Sequence, residues 1–313
     1  MSHVLDRFGI GLWTFQSTAT RPASPTALYR RFADQAVFVE ELGFHSVWAA
    51  EHRLWYDGFC PQLLHAQAFA AARTTRLRFA QAMLVATQHD PEWLARNAET
   101  LHRLSGGRLE LGLGLGHRDA EFDALGLRRD RRGRLLDTVL DALGRVGARL
   151  WLGGMAAKTL ERAARRGAGL MLPQTLYPAE LPALLEEYRS LGGSGTIGVL
   201  RDVCIVDDDT QAARAHERLA THYLEEAGAW WVLKGSVGFA NPEQLARQRS
   251  RILAAAIVGP PDRVAERLSE DKAAGVEFHC LRVNYDFTSD AEVRGQLQRF
   301  AEQVAPLLSQ VHA

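Results

Sequence analysis

Short apolar runs alternate with longer segments whose apolar residues recur every three or four positions, and the rhythm continues along the whole chain. The apolar runs predict eight strands, at 8–12, 45–49, 76–85, 108–113, 149–152, 169–172, 196–206 and 278–283. Between them the amphipathic segments predict helices at 24–42, 62–73, 90–104, 125–146, 156–166 and 179–191. Further helices are predicted from 210 onward, at 260–275 and at 290–308. Several carry start and stop signals: Ser24-Pro25 and Asp90-Pro91 place a capping side chain before a proline, and Gly43 stops the first helix. Residues 227–256 break the rhythm and read as a helical insertion before the last β/α unit, a candidate lid.

Strands that alternate with helices form a parallel sheet, because each helical crossover covers one face. The near-continuous apolar character of the runs fits strands buried on both faces. Eight such units within 313 residues, with no Pro-, Gly- or Ser-rich linker, predict an α/β fold. The expectation is a single-domain (β/α)8 TIM barrel spanning 1–313. In that fold functional residues lie at the C-terminal ends of strands and in the loops that follow. Position therefore filters the candidates.

Composition narrows the partners. Lys+Arg and Asp+Glu are both 37, so the formal net charge is zero and nothing favours nucleic acid. Only Lys158, Lys234 and Lys272 are lysines; the arginine excess is read as genomic, with Arg53 and Arg118 set apart because they follow strand ends. Cys60, Cys204 and Cys280 form no CxxC pair, so neither a disulfide framework nor a zinc site is expected. The absence of HExxH and of a metal-spaced acidic cluster leads to no metal. No signal-like start and no long apolar run are present, and a soluble cytoplasmic protein without membrane contact is expected.

Four groups carry candidate chemistry. Glu51-His52-Arg53 follows the second strand, and an imidazole beside a carboxylate suits proton transfer at neutral pH. Gly153-Gly154-Met155-Ala156-Ala157-Lys158 joins the fifth strand directly to a helix; free N–H groups and the helix dipole there suit a phosphate. Gly112-Leu113-Gly114-Leu115-Gly116-His117-Arg118 falls short of GxGxxG, because His117 stands at the third glycine. It reads as a strand end where a flat ligand lies against the backbone. Trp13, Phe15, Trp55, Tyr56 and Phe59, with Trp230 and Trp231 of the insertion, suit an apolar or planar ligand pocket. Trp48 and Trp151 read instead as core.

These segments together resemble the bacterial luciferase-like flavin-dependent monooxygenases, in a short form. Phe8-Gly9-Ile10, Val47-Trp48-Ala49-Ala50-Glu51-His52, the run from Leu104 to Gly114, Leu150-Trp151-Leu152-Gly153-Gly154 and the run from Val258 to Ala265 carry the resemblance. It implies a barrel that binds reduced FMN supplied by a separate flavin reductase. In some branches the cofactor is F420 used for hydride transfer. The implied reaction is oxygenation of a small apolar or aromatic substrate with O2 through a C4a-peroxyflavin, as hydroxylation or Baeyer–Villiger insertion. A non-catalytic flavin-binding protein is the reading outside enzymes. The resemblance makes His52 the proton-handling residue, oriented by Glu51 or a neighbour. It places a non-prolyl cis peptide at Ala82-Met83 against the cofactor and the phosphate at Gly153 to Lys158. A homodimer is also implied. Three departures stand out: Arg53 replaces a second histidine, His117 replaces a tryptophan, and Arg145 to Arg149 link helix and strand without the usual insertion.

Overall fold

The computed structural model describes residues 2–12, 15, 17, 22–52, 60–223, 242–285 and 288–310. Its centre is a parallel barrel. The strands are β1 (Phe8–Gly11), β2 (Ser46–Ala49), β3 (Arg78–Gln81), β4 (Leu84–Val85) and β5 (Glu110–Gly114). They continue with β6 (Arg149–Gly153), β7 (Gly169–Leu172), β8 (Ile197–Ile205), β9 (Ile257–Gly259) and β10 (Phe278–Arg282). Hydrogen-bonded neighbours run β3-β2-β1-β10-β8-β7-β6-β5-β4, with β9 added to the outer end of β8.

All eight expected strands are present, and the third is split. A cis bond joins Ala82 to Met83 between β3 and β4. β3 pairs with β2 and bridges Phe79 to Leu109, whereas β4 pairs with β5, so the two halves together complete the circuit. The unexpected strand is Ile257–Gly259, a run too short to register as a strand in the sequence.

Caps match the sequence signals. Asp90 accepts from Trp93 N–H at 2.8 Å, Ser24 accepts from Ala27 N–H at 3.3 Å, and Gly43 closes the first helix at φ +89°. The expected helix at 125–146 is corrected. It is a short helix Asp119–Ala124, a turn Arg129–Arg131 and a helix Arg132–Leu143. Gly126 at φ +64° and the Leu127 N–H to Phe122 carbonyl bond end the first piece. Within the expected insertion, Pro242–Ala255 is helical; Trp230 and Trp231 lie outside the described residues. No helix among the described residues is long and apolar enough to cross a membrane.

Two layers of core result. The outer one lies between strands and helices. The inner one fills the barrel with Trp48, Ala80, Trp151, Met171, Leu200, Phe278 and Cys280. Trp48 and Trp151 meet edge to face at 5.4 Å, as core readings of both require. They fit only beside glycine: a Cβ on Gly9 would stand 2.3 Å from the Trp48 ring. Their indole N–H groups donate to Ser46 Oγ (2.8 Å) and Glu110 Oε2 (2.7 Å), so the polar edges are satisfied. The tryptophans thus plug the barrel floor and leave any site to the C-terminal mouth.

Candidate active site at the barrel mouth

Glu51 and His52 leave β2 at that mouth and turn to different partners. Glu51 is buried; its Oε1 accepts from Val85 N–H at 2.9 Å and meets His89 Nε2 at 2.7 Å. It therefore ties down the chain just after the cis bond. The carboxylate on His52 is Glu121, with Nδ1 to Oε1 at 3.1 Å. Glu121 also accepts from Arg118 at 2.9 Å and from Gln88 Nε2 at 2.9 Å. Burial alone would raise this carboxyl, but the hydrogen bonds and charges of His52, Gln88 and Arg118 hold it at about 2. It is a fixed anion at neutral pH. His117 stands edge-on to His52 with ring centroids 6.0 Å apart, and burial followed by the His52 charge lowers it to about 4.

The glycine run has a different cause from the expected flat ligand. A Cβ on Gly112 would lie 1.7 Å from the Gln81 carbonyl oxygen. On Gly114 it would lie 3.0 Å from Met83 Cβ, and on Gly153 2.6 Å from Met83 Cγ. These glycines let the β3–β4 corner and Met83 sit against β5 and β6. Gln81 completes the junction by accepting from Gly112 N–H at 3.1 Å.

The β6 end turns at once into the helix Ala157–Arg166. Gly154 takes φ +122°, and Ala156 at the cap has no side chain that bonds the first turn. Thr159, just inside, is buried. Lys158 points to solvent and pairs with Glu161 at 2.8 Å, and Met155 is exposed. At this helix start the lysine is turned away, and what the turn presents is backbone N–H groups.

Phe15 is fully buried, 5.1 Å from the Tyr29 ring and 4.9 Å from the Phe32 ring, so it packs under the first helix. Trp13, Arg53, Trp55, Tyr56 and Phe59 lie outside the described residues. Cys60 is buried beside Tyr29, and burial pushes its thiol up to about 11. Native protein at pH 8 is expected to resist iodoacetamide at Cys60 and to react there only after unfolding, as peptide mass spectrometry would show.

Sequence reasoning missed Glu121, Gln88 and His89, and also Asp202 and Arg282. The last two were legible only as charges inside apolar strands.

Residues 7–148 match the family model described as luciferase-like monooxygenase. That stretch, a little under half of the chain, resembles the luciferase-like monooxygenases, and the whole chain shares the fold of solved monooxygenase structures. The 4-hydroxyprotoasukamycin monooxygenase of Streptomyces nodosus subsp. asukaensis is 31% identical over 119 residues, 37% of this chain and 31% of that protein. The F420-dependent glucose-6-phosphate dehydrogenase of Kineococcus radiotolerans is 35% identical over 117 residues, 35% of this chain and 34% of that protein. Matches to curated relatives thus span about a third of their lengths. Among luciferase-like structures, the monooxygenase RslO1 from Streptomyces bottropensis superposes with a TM-score of 0.81 at 22% identity, covering 96% of this chain and 99% of that one. The oxygenating constituent of 3,6-diketocamphane monooxygenase from Pseudomonas putida, in complex with FMN, gives 0.78 at 17% identity, covering 96% and 98%.

Proposed function

We propose that this chain is the oxygenating component of a two-component, FMN-dependent monooxygenase acting on a small apolar or aromatic substrate. The observation that carries the reading is the His52–Glu121 pair, an imidazole held by a fixed anion at the mouth beside the Ala82-Met83 corner. The residues fit a phosphorylated flavin. Gly153 and Gly154 lead into a helix start that no side chain caps, where backbone N–H groups would hold a phosphate. Ala82 and Met83, on the corner that Gly112, Gly114 and Gly153 admit, form a wall suited to a flat ring. His117 and Arg118 flank the same rim.

When bound, reduced FMN supplies the electrons by which O2 is split between substrate and water. The protein supplies position and proton control. Because Glu121 stays ionised, it accepts from His52 Nδ1–H, leaving Nε2 as the atom that takes and returns a proton. His117, neutral at pH 7, adds no competing charge. The FMN-bound Pseudomonas putida neighbour supports this cofactor, and the F420-dependent relative supplies the alternative. A flavin reductase, a homodimer and a cytoplasmic location belong to the same proposal.

Anaerobic titration with reduced FMN and with F420 tests it. The expected result is saturable binding of reduced FMN, then incorporation of one atom from labelled O2 into product when reductase and substrate are added. Tight F420 binding with no FMN binding would overturn the reading.

A further inference from the structure

Leu200 and Cys280 belong to the inner cluster and pair in register. Two residues further along the same strands, Asp202 pairs with Arg282. Side chains two apart share a face, so this pair points into the barrel at its C-terminal mouth. Arg201 has the opposite parity and faces out, onto Asp271 of the helix Pro261–Ala273. Along the sheet order, β8 and β10 lie across the barrel from the β3–β4 corner and β5. The mouth therefore has one wall of glycine, alanine and methionine and, facing it, one charged wall.

That second wall is tightly built. Arg282 Nε lies 3.0 Å from Asp202 Oδ1, and Tyr223 OH donates to Asp202 Oδ2 at 2.6 Å. Tyr285 OH donates to the Arg282 carbonyl at 3.0 Å and reaches Asp202 Oδ1 at 3.4 Å. The guanidinium sits over both tyrosine rings, 5.2 and 4.7 Å from their centroids. One terminal nitrogen meets His222 Nε2 at 3.2 Å. An apolar pair would fill a barrel interior as stably as a buried ion pair, so packing alone does not account for these residues.

We infer that Asp202 and Arg282, braced by Tyr223 and Tyr285, form a substrate-recognition site for a neutral oxygen acceptor, the carbonyl or hydroxyl oxygen of an otherwise apolar ring compound. This rests on the monooxygenase reading and names its substrate class. The incoming oxygen takes the Arg282 donor that now meets His222, while the other contacts hold the fork in place. Asp202 balances the arginine charge, so a second carboxylate entering this buried wall meets repulsion and loses its hydration.

The test uses three ring compounds of nearly equal shape: acetophenone, its alkene isostere α-methylstyrene, and benzoate. Binding to the FMN-loaded protein is measured by calorimetry. Acetophenone is expected to bind about tenfold or more tighter than α-methylstyrene, the size of one hydrogen bond to a charged group, and tighter than benzoate. In the Asp202→Asn/Arg282→Met double variant the ratio falls to near one while FMN affinity is unchanged. If that variant fails to fold, Arg282→Lys, which keeps the charge but loses the fork, is expected to reduce the ratio. A preference that survives these changes overturns the inference. So does a wild-type ratio near one, strongest binding by benzoate, or no binding of any probe. FMN titration of the wild type is read separately, so failure of the cofactor reading is distinguishable from failure of this site.

Discussion

His52→Ala is expected to cut the rate of substrate oxygenation by roughly a hundredfold to a thousandfold, the usual contribution of a positioned acid–base group. Reduced FMN binding should be unchanged and hydrogen peroxide release should rise, since electrons would still reach O2 without a productive proton transfer. Glu121→Gln isolates the supporting anion. It keeps an acceptor near His52 Nδ1 but removes the charge that His52, Arg118 and Gln88 surround. An imidazolium at position 52 then loses its counter-charge, so product formation is expected to fall while reduced FMN binding is kept. Stopped-flow product formation across pH reads both variants. Full activity in either His52→Ala or Glu121→Gln would remove this pair from the mechanism.

The barrel was legible because buried parallel strands must be apolar runs and their crossovers must be amphipathic; both signals are local. Strand parity was not local. Arg201 and Asp202 are adjacent charges within β8, and only closure of the barrel sends one to the helices and the other inward. Glu121 was hidden for a related reason. The helix was expected to begin at 125, whereas residues 119–124 already form one and bring Glu121 back to His52. Glu51 was legible as a functional-looking neighbour of His52, yet consecutive residues at a strand end point apart, and it anchors Val85 and His89 instead. The glycine run was legible as close approach, but what approaches is the chain's own β3–β4 corner.

Asp271→Ala is expected to destabilise the fold more than other surface-distant changes outside the mouth. Arg201 Nε and one terminal nitrogen hold its two oxygens at 2.7 and 2.6 Å, and both side chains are nearly inaccessible. Removing the carboxylate leaves a buried guanidinium with, among the described residues, the Leu176 carbonyl at 2.8 Å as its remaining hydrogen-bond partner, a loss of about 3–5 kcal/mol. In a chain of this size that lowers Tm by about 10 °C. The Arg201→Met/Asp271→Leu double variant removes both charges and should recover most of the loss, because the penalty is the unpaired charge rather than the missing bond. The same carboxylate gives an acid signature. Burial alone would raise Asp271, but Arg201 and His279 hold it at about 2, below its ordinary 3.8. A depressed folded-state pKa stabilises above the unfolded value and is lost as pH falls through the folded one. Urea midpoints should therefore fall between about pH 4 and pH 2 in the wild type. The double variant should lose less over that range, and an equal loss would show that other carboxylates, Glu121 first among them, carry the acid sensitivity.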